Sequence, residues 1–184
     1  MTTPRQQTLA SSGELSGVGL HTGAPARVRL LPAEIQTGIR FRRVDLEGQP
    51  EIPALVSNVV GTDRGTTIGH NGATVQTVEH LLSALVGAGV DNAIVEVDGP
   101  EPPAGDGSAR IFSDLIANVG IVEQDAPARF IDVGSAISLE QDGSRYVVSA
   151  SSTYEVSVTI RFDHPVIGRQ FVSVEVEPGS YARE

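Results

Sequence analysis

The stretch TVEHLLSALVGAGVDN, residues 77–92, sets the reading of the fold. Val78, Leu81, Leu82 and Leu85 fall at i, i+3, i+4 and i+7, the apolar stripe of a helix laid on a core. Thr77 is placed to cap its start, and Gly87 or Gly89 to end it. Beyond it, residues 93–97 read as a strand that enters the turn-rich DGPEPPAGDG. A second helix follows in DGSARIFSDLIANVG, with Ser108 as its cap and Ile111, Phe112, Leu115, Ile116 and Val119 as its apolar face. Upstream, residues 26–31, 38–44, 52–60 and 66–69 read as short strands separated by Gly and Pro turns. Asn71-Gly72 is a two-residue hairpin signal, because both residues tolerate positive φ.

After these elements the polar, proline-bearing EQDAPAR, residues 123–129, marks a boundary between a first domain over residues 1–124 and a second over 125–184. In the second, residues 130–133, 136–140, 145–150, 155–162 and 170–177 read as five strands, with Asp142-Gly143 as another hairpin turn and Pro178-Gly179-Ser180 as a helix entry. Val147, Val156, Val158, Ile160, Val172, Val174 and Val176 largely alternate with polar residues, so the strands expose an apolar face. Beyond that helix entry the second half offers almost no helix to cover it. The second domain is therefore expected to be incomplete, and the chain to self-associate or to leave that domain loose.

Composition narrows the function classes. The 184 residues are 40% hydrophobic but only 4% aromatic, so the core is built from Val, Ile, Leu and Ala. A formal net charge of -10 opposes a phosphate-backbone partner, which needs clustered Lys and Arg. With no cysteine, disulfides and thiolate metal sites are excluded, and any metal must be held by His, Asp and Glu. The N-terminus shows no apolar signal region and no stretch is long enough to cross a bilayer, so a cytoplasmic protein is expected.

Four histidines are present: His21, His70, His80 and His164. Glu79 and His80 form the sharpest pair. Both fall in the first turn of the first helix and off its leucine stripe. A neutral imidazole at a helix start can ligate a metal, and the neighbouring carboxylate can take a proton from water. Without an HExxH-type spacing, however, the residues taken alone favour a solvated Glu-His pair. By the same standard His21 reads first as a turn histidine between glycines, His164 as a strand-end residue before Pro165, His70 as a solvated hairpin residue, and Asp106 as a helix-start partner. GDGSA lacks the lysine of a phosphate loop, so nucleotide-loop chemistry is poorly supported.

In order and spacing, SGVGLHTG (residues 16–23), TVEHLLSALVGAGVDN (77–92), GDGSA (105–109) and FDHP (162–165) resemble the UDP-3-O-acyl-N-acetylglucosamine deacetylases. These bacterial enzymes catalyse the committed step of lipid A synthesis. The resemblance implies a two-domain α+β fold, each domain a small sheet carrying two helices, and one catalytic zinc. It implies that His80 is a zinc ligand and that Glu79 is the general base. It places His21 at the mouth of the site with Thr66 and Thr67 near it, and Phe162 and His164 toward the side that receives the UDP group. The substrate implied is UDP-3-O-acyl-N-acetylglucosamine, hydrolysed at its N-acetyl group to release acetate. The family draws two further ligands from an H-x-x-x-D helix and a general acid from a later histidine, yet no histidine follows His164. A chain truncated before those groups, inactive alone, is therefore expected. The alternative is a non-catalytic module that recognises UDP or acyl groups or a complementary chain.

Overall fold

A computed structural model describes residues 4–177 and Tyr181. The chain divides into two compact units after Ala128.

The first unit begins with strands β1 (Arg5–Leu9), β2 (Gly13–Val18), β3 (Pro25–Pro32), β4 (Ile39–Arg43) and β5 (Glu51–Pro53). A 3₁₀ turn (Val56–Asn58) leads to β6 (Val59–Gly61), β7 (Thr67–His70) and β8 (Ala73–Val75). Helix α1 (Glu79–Gly87), strand β9 (Ala93–Val97), helix α2 (Arg110–Val119) and strand β10 (Ile121–Pro127) complete it. The main sheet has the order β2-β3-β9-β4-β5, antiparallel except where β4 runs parallel to β9. A three-stranded antiparallel sheet, β6-β7-β8, and the β1-β10 pair adjoin it. The mixed sheet with two helices agrees with the α+β expectation.

The alternation of β3 explains its placement: Ala26, Val28 and Leu30 are buried while Arg27 and Arg29 are exposed. β9, the central strand of the sheet, is instead buried at Ala93, Ile94, Val95 and Val97, with only Glu96 half-buried, where it accepts from Arg42 at 3.1 Å. The α1 stripe behaves as expected, with Val78, Leu81 and Leu85 fully buried in one cluster with Phe41, Ile52 and Phe112. At the far end of the opening stretch, Asn92 is a buried junction. Its amide donates to Gln6 Oε1 at 2.9 Å and Gln124 Oε1 at 2.8 Å, and its Oδ1 accepts from Gly38 N at 2.8 Å. Asp91 accepts Gln7 N at 2.7 Å. The Asp-Asn pair therefore ties β1 and β10 to the sheet.

Several expected elements differ. Residues 52–60 are not one strand: Leu55 N and Asn58 Nδ2 both donate to Pro53 O, at 2.8 Å each, closing the 3₁₀ turn between β5 and β6. Thr77 does not cap α1. Its φ is +54°, outside the extended region a capping residue uses, and the helix start has no side-chain cap. Nor is Ser108 the cap of α2: Ala109 takes the N-cap position with no side-chain cap, although Ser108 Oγ accepts Arg110 N at 3.2 Å. At Asn71-Gly72 the φ values are 49° and 82° and His70 pairs with Ala73, as the hairpin signal requires.

The second unit contains two antiparallel hairpins, β11 (Ile137–Gln141) with β12 (Ser144–Val148) and β13 (Glu155–Arg161) with β14 (Arg169–Glu175). Asp142 and Gly143 form the first turn with positive φ, as expected. Residues 130–133 pair with nothing as a strand, and Phe130 and Ile131 are exposed. The expected helix entry at Pro178-Gly179-Ser180 lies outside the described residues.

Candidate active site in the first unit

Four loops converge at the start of α1: the β2–β3 turn, the segment before β7, the residues leading into α1, and the segment after β9. Backbone hydrogen bonds lace them together. Gln76 N donates to Pro100 O at 2.8 Å, Val78 N to Thr66 O at 3.3 Å, and Ala104 N to Val18 O at 2.8 Å.

Glu79 and His80, both half-buried, open α1 and meet different neighbours. Glu79 Oε2 accepts the backbone N–H of Thr66 at 2.9 Å. Its other oxygen faces Gly65: a Cβ on that glycine would stand 3.2 Å from Glu79 Oε1, 3.6 Å from Thr77 Oγ1 and 3.7 Å from His21 Nε2. His80 lines a small pocket with Leu20, Thr77, Pro102, Pro103, Ala104, Gly107 and Phe112. Glu79 and His80 thus address two adjoining spaces, as the roughly 100° turn between successive helical residues dictates. Thr77 borders both. Its hydroxyl is buried and has no hydrogen-bond partner among the described residues.

The structure thereby gathers Glu79, His80, His21 and Thr66. Thr67 opens β7 next to Thr66 and is half-buried. Asp106 is exposed and accepts both the N–H and the hydroxyl of Ser108, at 3.0 and 2.7 Å. Those bonds hold its carboxyl below the usual carboxylate range. His70 is exposed on the β7–β8 hairpin.

Phe162 and His164 belong to the second unit, in the β13–β14 turn. Phe162 N donates to Gly168 O at 2.8 Å, and Gly168 N to His164 O at 2.9 Å. His164 Nδ1 accepts Val166 N at 3.2 Å and Ile167 N at 3.3 Å, so Nε2 is the ring nitrogen outside these turn bonds.

Among the described residues, no group of three or more His, Cys, Asp or Glu side chains gathers as a metal site. His80 can offer one ligand, whereas a catalytic zinc takes three protein ligands. Nor is any helix among them long and apolar enough to cross a membrane.

Two residues beside this site, Gly65 and Glu101, are absent from the sequence reading, and Thr77 enters it in another role. Gly65 matters through the side chain it lacks, and Thr77 through an unpaired hydroxyl rather than a cap. Glu101, fully buried, accepts the backbone N–H groups of His21 and Thr22, each at 3.0 Å. Its one available signal was a carboxylate among prolines in PEPP, which otherwise reads as a turn.

Comparison with known proteins bears on what these loops serve. The UDP-3-O-acyl-N-acetylglucosamine deacetylase of Saccharophagus degradans is 47% identical over 98% of this chain and 60% of its own length. That of Acidithiobacillus ferrooxidans is 46% identical over 98% of this chain and 60% of its own, and that of Myxococcus xanthus 42% over 97% and 57%. The chain thus spans about 60% of the length of these curated relatives. The family model for UDP-3-O-acyl N-acetylglycosamine deacetylase matches residues 6–184. Since that match takes in all four converging loops and the FDHP turn, the chain belongs to the UDP-3-O-acyl N-acetylglycosamine deacetylase family.

Proposed function

We propose that this chain carries one part of the active site of a cytoplasmic, zinc-dependent hydrolase. The enzyme would remove the N-acetyl group of UDP-3-O-acyl-N-acetylglucosamine and release acetate on the route to lipid A. The observation that carries this reading is the Glu79 carboxylate, anchored through one oxygen to Thr66 N at 2.9 Å while the other stays directed at the space beside Gly65. An anchored carboxylate with a lone oxygen facing an open site is suited to accept a proton from an attacking water. His80 would supply one zinc ligand, and the remaining ligands would come from outside the described residues. When bound, the metal would polarise the acetamide carbonyl.

The chain's own residues do the rest. Glu79 Oε1 takes the proton of the water and holds it near the departing nitrogen. Thr66, through its backbone N–H, keeps the carboxylate from turning away. His21, within reach of the same space, would contact the substrate at the mouth, with Thr66 and Thr67 beside it. Phe162 and His164 would contact the UDP portion.

The test is acetate release from UDP-3-O-acyl-N-acetylglucosamine by the whole protein, with and without a chelator, alongside Glu79→Ala. Chelator-sensitive release that Glu79→Ala abolishes is the expected result. Binding of the UDP-sugar without turnover in the metal-loaded whole protein would instead establish the non-catalytic module.

A further inference from the structure

Glu101 is 1% exposed, and its carboxylate meets no cation among the described residues. A buried carboxylate is costly unless hydrogen bonds replace its water. Here they come from the turn that carries His21: His21 N at 3.0 Å to Oε1 and 3.3 Å to Oε2, and Thr22 N at 3.0 Å to Oε2. The turn is shaped to receive the group. Gly19 N donates to Ala24 O at 2.9 Å, and a Cβ on Gly19 would fall 2.6 Å from Glu101 Cγ and 2.4 Å from Thr22 Oγ1. Only glycine lets the two segments meet this closely. Beyond this clamp the His21 imidazole is exposed, yet its Nε2 comes within 3.7 Å of the point beside Gly65 that Glu79 Oε1 approaches to 3.2 Å.

A neutral side chain could close a turn at lower cost. Charge-assisted bonds to two successive backbone N–H groups fix its position more tightly. We propose that Glu101 is a positioning residue, which through the backbone N–H groups of His21 and Thr22 holds the His21 imidazole beside the Glu79 carboxylate. The proposal rests on the reading of Glu79 and His21 as site residues. Glu101 itself touches neither substrate nor metal.

The experiment is a double-mutant cycle in the whole protein, measuring kcat and KM for Glu101→Gln in the native and His21→Ala backgrounds. Misplacement of a site group by about 1 Å can cost about 10²-fold. Glu101→Gln should therefore lose about 10-fold or more in kcat/KM in the native background and almost nothing once His21 is gone. An equal loss in both backgrounds, or no loss in either, overturns the proposal. Gly19→Ala pushes the same turn without altering charge and should reproduce the pattern. If both variants fail to fold, the carboxylate serves the fold alone and the proposal is wrong. The imidazole NMR signals of His21 supply a readout independent of activity. They should move in Glu101→Gln even if the whole protein hydrolyses no UDP-sugar, so failure of the assigned reaction stays distinguishable from failure of the clamp.

Discussion

Glu79 and Thr66 are joined by one hydrogen bond, backbone N–H to carboxylate at 2.9 Å, and that bond divides the work of the two carboxylate oxygens. The tied oxygen fixes the side chain and the other faces the site. In Glu79→Gln the amide oxygen can still accept from Thr66, so geometry survives while basicity is lost. Turnover in the whole protein should fall by about 10² to 10⁴-fold with metal content unchanged. His80→Ala should lose metal and activity together, because an alanine cannot ligate. Metal analysis after dialysis, run beside the acetate assay, separates the two. Near-normal turnover by Glu79→Gln would reduce Glu79 to a helix-start carboxylate.

Gly65 lacks a left-handed backbone, so alanine is conformationally acceptable there, but its Cβ would stand 3.2 Å from Glu79 Oε1. That oxygen is the tip of a flexible side chain and can yield. Gly65→Ala should accordingly change stability by less than about 1 kcal/mol, with the stiffer unfolded chain offsetting the crowding. Turnover should fall by about 10-fold to 10²-fold as the carboxylate swings aside. Thermal unfolding and kcat measured together decide it. A variant as active as the parent would show that the Glu79 oxygen does not need its present position.

The contrast between Asn71-Gly72 and Thr77 shows what was legible in the sequence. The hairpin was readable because its cause is local: two adjacent residues that accept positive φ, here 49° and 82°. The α1 stripe was readable for the same reason, from spacing within a single helix. Thr77 has the composition of a cap, but the chain must turn there to bring Thr66 O to Val78 N, and it takes φ +54° instead. β1 escaped notice because its partner β10 lies far along the chain, with Leu9 opposite Ile121. Glu101 acts on His21 across 80 positions, and no periodicity reports such a contact. The Glu79-His80 pair stood out in sequence, whereas the loops that give the carboxylate one tied and one open oxygen are products of tertiary structure.

Arg43, 8% exposed, grips Asp45 with two hydrogen bonds of 2.8 and 2.7 Å and donates to Thr74 O at 2.6 Å, joining the end of β4 to β8. The guanidinium bonds hold the Asp45 carboxyl below the usual carboxylate range. A depressed folded pKa means that the ionised form favours the fold. This contribution is fully present above the unfolded value of about 3.9 and is lost as pH falls through the lower folded value. Asp45→Asn should therefore lower stability at neutral pH and flatten the loss of stability between about pH 5 and pH 2. Denaturant unfolding across that range measures both. An acid limb as steep as the parent's would show that Asp45 is not among the groups that drive it.

The second unit presents the opposite balance, since no residue from 129 to 177 is buried. In its longer hairpin Val156 faces Val174 and Val158 faces Val172, so these four share one side with Ile160. The other side carries Ser157 opposite Ser173, hydroxyl to hydroxyl at 2.7 Å, and Glu155 opposite Glu175. One face is thus largely apolar, with Gln170 opposite Ile160, and the other largely polar apart from Phe171 opposite Thr159, close to the pattern of a strand pair made to lie on a core. Val158 remains 38% exposed, Ile160 49% and Val172 52%. Covering such surface stabilises by about 25 cal/mol per Å², and an isolated two-stranded hairpin is only marginally stable in water. In a preparation of residues 1–184, the segment after Ala128 should be cut early by protease and exchange its amides quickly, while α1, α2 and β9 stay protected. Alternatively the apolar face is covered by a second copy, and sizing will show a concentration-dependent dimer that protects β13 and β14. A monomer that resists protease throughout residues 129–177 would contradict both outcomes and require a cover for these valines that the chain does not show.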